Sequence, residues 1–214
     1  MTVSEAGSPK RDTYRHGDLR RALVEAGTEM AREGGPGAVV LREATRRAGV
    51  APSAAYRHFE DRRALLDAVC SAAQASLAVT IEAELAGLSL HGEPAGLARA
   101  RLRAVGTGYL RFAWEEPGMF RTAFSASENL RSAASPARAG EGGLTPFQLL
   151  EAALDGLVAA GVLPRKRRPG AEFLAWSAVH GLAMLLIDGP LRGLEGTAAH
   201  DVGQRVIDMV ERGL

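Results

Sequence analysis

A chain of 214 residues, 46% of them hydrophobic, is long enough for one large or two small domains and can bury a sizeable core. A net charge of +1 excludes a polycation, and the lone cysteine, Cys70, excludes an intrachain disulfide and fits a reducing, cytoplasmic compartment. The opening "MTVSEAGSPKRDTYRHGD" lacks the apolar stretch of a leader. The longest near-apolar run, Phe173 to Ile187, is interrupted by Ser177 and His180 and is too short to span a bilayer, so no membrane partner is expected.

Residues 1–13 are polar, and disorder is expected there. A helix is predicted from about Gly17, capped by Asp18, with Leu19, Leu23, Ala26 and Met30 at helical spacing and Gly34, Gly35 and Gly37 at its end. A short helix over 41–48 is stopped by Gly49. Pro52, which suits a first turn, opens a third helix ending near Phe59. Asp61 can cap a long fourth helix to about Ala86. After a loop at 87–96, helices are expected over 95–115 and 118–130, then a glycine-rich connection at 131–143. Thr145 and Pro146 open a helix to Gly161. The basic turn "LPRKRRPG" follows, and two last helices fit 170–187 and 198–212. No sustained strand pattern and no repeat is visible. The class is all-α with about nine helices, in a three-helix domain over 14–62 and a larger helical domain over 63–214.

Residues 42–63 carry six Arg against three acidic residues, a local basic bias. Helix, glycine turn, helix over 41–59 is the outline of a unit whose second helix enters the DNA major groove. Small side chains at the start of that helix let its backbone approach the duplex, and its free N–H groups favour phosphate. Tyr56 and His58 can hydrogen-bond phosphate, Arg42 and Arg57 can reach guanine edges, and Arg62 can neutralise a flanking phosphate. Read singly, these residues are ordinary: Arg42 and Arg57 as solvated helix surface, Tyr56 as a cover for the small core, His58 as a packed or solvated ring.

The stretch "LREATRRAGVAPSAAYRHFEDRRALLDAV", with "YRHGDLRRALVEAG" before it, resembles the N-terminal domain of the tetracycline-repressor (TetR) family of transcription regulators. The resemblance implies phosphate contacts from Tyr56, His58 and Arg62, and base-facing positions at Arg42, Pro52, Ser53, Ala54 and Arg57. It also implies a homodimer on double-stranded DNA with an inverted-repeat operator. Two departures stand out. Val40 occupies a position usually held by a capping Ser or Thr, and Ala44–Thr45 replaces a larger aliphatic followed by alanine.

In that family the remainder senses a small molecule and dimerises. "YLRFAWEEPGMFRTAFS" and "WSAVHGLAMLLIDG" resemble one C-terminal subgroup with a Trp-x-x-x-His-Gly segment. A cavity is expected among the helices at 95–130, 144–160 and 170–187. Its expected lining comes from Phe112, Trp114, Met119, Phe120, Phe124, Phe147, Trp176 and His180, suited to a largely apolar effector. Each aromatic is equally at home in an ordinary core, and His180 divides evenly between a ligand contact and a satisfied core histidine. The 170–187 helix is apolar on more than one face, which points to a two-fold interface shared with Val202, Val206, Met209 and Val210.

Catalysis finds no support in the sequence. The five His and one Cys show no paired ligand spacing, no phosphate-binding glycine loop follows a strand, and no Ser lies in a G-x-S-x-G context. No catalytic residue, metal or cofactor is therefore expected. The expectation is a repressor released by a small molecule that selects one of two spacings of the recognition helices. The alternative is a helical small-molecule binding protein that has lost operator affinity.

Overall fold

The computed structural model describes residues 16–89, 91–125, 134–194 and 196–214, and those residues form nine α-helices and no strand. The disorder expected for 1–13 and the helix expected over 126–130 lie outside the described residues. The helices are α1 (His16–Gly34), α2 (Leu41–Arg47), α3 (Pro52–Ala55), α4 (Arg62–Ala86), α5 (Pro94–Glu115), α6 (Pro117–Ala123), α7 (Pro146–Ala159), α8 (Ala171–Ile187) and α9 (Gly196–Gly213).

Three expected boundaries shift. Asp18 falls inside the first turn of α1 rather than at its cap. The third helix ends at Ala55, and Tyr56, Arg57 and His58 continue as turns, because Phe59 already closes the last bond onto the Ala55 carbonyl at 2.9 Å. The helix predicted over 118–130 begins at Pro117 and ends at Ala123, its last carbonyls being taken by α4 side chains: Cys70 Sγ donates to Thr122 O at 2.8 Å and Gln74 Nε2 to Ala123 O at 2.8 Å.

Other ends follow the local chemistry. Asp61 caps α4 by accepting from Ala64 N at 2.8 Å. Thr145 and Gln148 form a reciprocal capping box at the start of α7. The α2–α3 turn is a Schellman closure: Val50 N donates to Thr45 O at 3.0 Å and Gly49 N to Arg46 O at 3.2 Å. That closure places Gly49 at φ 68, where a side chain is strained.

Two cores share one spine. Leu23, Met30, Val39, Ala44, Ala55 and Phe59 close the three-helix end against Leu65 of α4. Further along, Val69, Ala73, Leu77 and Ile81 of α4 are buried where it packs on α5, α6 and α7. By length and composition α4 is apolar enough to cross a bilayer, but here those residues are a protein core contacted from several sides. Beyond it, α5 packs on α7, α8 and α9, and α8 and α9 pack on each other.

Candidate functional site

The α2–turn–α3 unit presents one continuous polar face. Arg42, Pro52, Ser53, Tyr56 and Arg57 are exposed, while Ala54 and His58 are half-buried. Tyr56 is 56% exposed, so it does not cover the small core; Ala55 and Phe59 do that, with Arg20 stacked 5.2 Å from the Phe59 ring.

The six arginines of 42–63 divide into two sets. Arg46 and Arg47 both bind Glu43, at 2.7 and 3.1 Å, and Arg47 also binds Glu33 at 2.8 Å. Hydrogen bonds from Arg46 and then Arg47 hold the Glu43 carboxyl down at about 2, so this cluster stays ionised and internally neutralised. Arg62 donates from Nε to Val39 O and from Nη2 to Pro36 O, both at 2.7 Å, and so ties the 36–39 turn to α4. The side chains of Arg42, Arg57 and Arg63 are exposed and have no protein partner among the described residues. Nothing in the spacing of the sequence separates Arg63 from its neighbour Arg62; only the carbonyls of the 36–39 turn do.

In the larger half, a cavity of about 510 Å³ opens between α4, α5, α7, α8 and α9. Of the eight residues expected to line it, Phe124, Phe147, Trp176 and His180 do. The other four do not. Phe112 is the next position of the α5 stripe that lines the cavity at Leu102, Val105, Gly106 and Tyr109, but it is buried in core. Trp114 lies against Gly203 and, 6.2 Å away, the His200 ring on α9. Met119 is fully buried. Phe120 backs the wall from behind, its ring 5.6 Å from that of His180.

The wall also holds residues that the aromatic pattern did not reveal. Tyr109 is one: Trp176 Nε1 donates to its hydroxyl at 3.0 Å, and the hydroxyl sits 2.8 Å from His180 Nδ1. Burial raises the Tyr109 phenol well above its ordinary range and lowers the His180 imidazole below its own, so both are neutral at neutral pH. Gln74 and Arg138 complete the polar lining; Arg138 is only 6% exposed.

The family model for "Bacterial regulatory proteins, tetR family" matches residues 23–69, and that for "Tetracyclin repressor-like, C-terminal domain" matches residues 102–210, more than half of the chain. The chain belongs to the TetR family. It is a DNA-binding transcriptional regulator, and the reading without operator affinity is not favoured. A protein of unknown function from Rhodococcus sp. RHA1 is similar at 27% identity and a TM-score of 0.72, over 95% of this chain and 99% of that one. PfmR, a TetR-family regulator from Thermus thermophilus, is 22% identical, covers 90% of this chain and 98% of its own, and has a TM-score of 0.55. A TetR variant from Acinetobacter baumannii AYE, solved in complex with minocycline, is 19% identical over 95% and 96% of the two chains, with a TM-score of 0.57. These last two share the fold. No curated protein matches the chain.

In this TetR-family chain, α6 touches both halves. At its start, Gly118 lies so close to α1 that a Cβ there would fall against the carbonyl oxygens of Ala31 and Arg32, 2.6 Å from the latter. Glu116, just before α6, binds Arg32 at 2.8 Å. At its other end Ala123 and Phe124 line the cavity. Seven residues of helix, about 10 Å, thus separate the end of α1 from the cavity wall.

Proposed function

We propose that this regulator is a dimeric repressor that reads an inverted-repeat operator through the α2–α3 face and is released by a small, largely apolar effector held in the cavity. The division into a DNA-binding unit over 14–62 and a sensing and dimerising unit over 63–214 is part of the same reading. The observation that carries it is the split among the arginines. Arg46, Arg47 and Arg62 are engaged within the protein, whereas Arg42 and Arg57 are exposed beside the small start of α3.

In this reading Arg42 and Arg57 address base edges, and Pro52, Ser53 and Ala54 allow close approach to the groove. Tyr56, His58 and Arg63 hold phosphates. Arg62 steadies the 36–39 turn and adds its charge at a flanking phosphate. The cavity residues Phe124, Phe147, Trp176 and His180 hold the effector, with Tyr109 orienting the imidazole. Ligand entry shifts α6, and through Gly118 and the Arg32–Glu116 pair it biases α1 and the spacing of the two reading heads. A full switch from 99:1 to 1:99 needs about 10⁴-fold preference for one spacing.

The dimer is built from the outer faces of α8 and α9, where Phe173, Leu174, Leu185 and Met209 remain exposed on one protomer. Residues of these helices face their own copies across the two-fold axis. Neither a membrane nor a catalytic step enters this reading, and its setting is the cytoplasm.

The test is operator selection from a random duplex library, followed by binding of Arg42→Ala, Arg57→Ala and Arg46→Ala to the selected sequence. Each of the first two is expected to cost about 1–3 kcal/mol and to relax the preference at particular base pairs. Arg46→Ala, already neutralised by Glu43, is expected to change neither. Equal effects of all three would overturn the assignment.

A further inference from the structure

The polar groups in the cavity wall are not a random set. Among the described lining residues Arg138 is the one with a formal charge, and no carboxylate lines the cavity. Its guanidinium is charged at every physiological pH and lies in a wall otherwise made mostly of aromatic and aliphatic groups.

The hydrogen bonds of the other polar residues decide what they can still offer. The Tyr109 hydroxyl has one proton, and Trp176 Nε1–H can only donate to it. If the phenol gives its proton to His180 Nδ1, every group in the chain is satisfied. The reverse arrangement leaves a buried phenolic proton without an acceptor, which costs about 1–3 kcal/mol. The imidazole is therefore the tautomer with its hydrogen on Nε2, and that N–H is its remaining donor. Gln74 has its amide nitrogen on the Ala123 carbonyl. What the wall presents to a ligand is a cation and a neutral donor, in an apolar surround.

We propose that the effector is an amphipathic carboxylic acid, its carboxylate held by Arg138 and the Nε2–H of His180 and its apolar body lying against Phe124, Phe147 and Trp176. This rests on the reading of the cavity as the sensing site. An amine of the same shape would bring a second positive charge beside Arg138 in a poorly solvated space, where like charges repel strongly. An ester keeps the shape and loses the charge-assisted bond. The cavity volume is that of an ordinary small-molecule site.

The test is calorimetric titration of the full chain with dodecanoate, methyl dodecanoate and dodecylammonium, all below their aggregation concentrations. Dodecanoate is expected to bind tighter than either of the others by about tenfold or more. Arg138→Gln is expected to erase that preference while leaving the ester's affinity within a few-fold, and His180→Gln to reduce it partially. If Arg138→Gln does not fold, the order of the three head groups on the unaltered protein decides alone. Ester or ammonium binding as tightly as dodecanoate would overturn the acid while leaving small-molecule sensing in place. No heat from any of the three would overturn both.

Discussion

The hydroxyl of Tyr109 lies 2.8 Å from Nδ1 of His180, joining residues 71 positions apart on α5 and α8 at the wall of the cavity. The pair makes a histidine that packing alone would leave ambiguous into an oriented donor with a fixed tautomer. It also couples that histidine to stability.

Burial lowers the His180 pKa below its ordinary 6.5. The unfolded chain therefore takes up a proton at this site before the folded chain does. Its contribution is fully present above about pH 6.5 and is lost as pH falls below that value toward the folded pKa. Urea unfolding at about pH 7.5 and about pH 5.5 should show the wild-type protein losing more stability than His180→Gln over that window. An equal loss in both would place the pH dependence elsewhere.

Val40 is the N-terminal flank of α2, with extended φ −128 and ψ 125, no side-chain cap and 43% exposure. Threonine has the same shape and adds the oxygen that accepts a first-turn N–H. Val40→Thr should stabilise the fold by about 1 kcal/mol, read as a shift in denaturation midpoint at constant m. The same hydroxyl should also strengthen binding to any duplex, through one added phosphate contact.

Gly118 has no room for a side chain against the α1 carbonyls. Gly118→Ala should cost about 1–3 kcal/mol by overpacking. If α6 links cavity and DNA face, the variant should also change the ratio of operator affinities with and without effector. An unaltered ratio, in a folded variant, would remove α6 from the coupling.

Leu174 and Leu185 lie on the outer face of α8, 67% and 43% exposed in the single protomer. Replacing both with Glu would place like charges across the two-fold axis. Light scattering at micromolar concentration should then report a monomer where the unaltered chain is a dimer. A dimer that survives both substitutions would locate the interface on another surface.

Local chemistry in the sequence was enough for much of this molecule. Helical spacing, the Asp61 and Thr145 caps, the glycine turn at Gly49 and the proline starts are all settled within a few residues of chain. The helix count, the all-α class and the α2–α3 unit were therefore legible. So was the presence of an aromatic-rich half. Side-chain direction was not. Whether Phe112 or Tyr109 meets the cavity depends on where along α5 the neighbouring helices separate, and whether Arg62 or Arg63 faces outward depends on carbonyls presented by the 36–39 turn. The same holds for His180 and Arg138, whose roles come from partners and walls far away in sequence. Distant packing decided these, because burial and hydrogen-bond geometry are properties of the assembled helices and leave no periodic trace in any one of them.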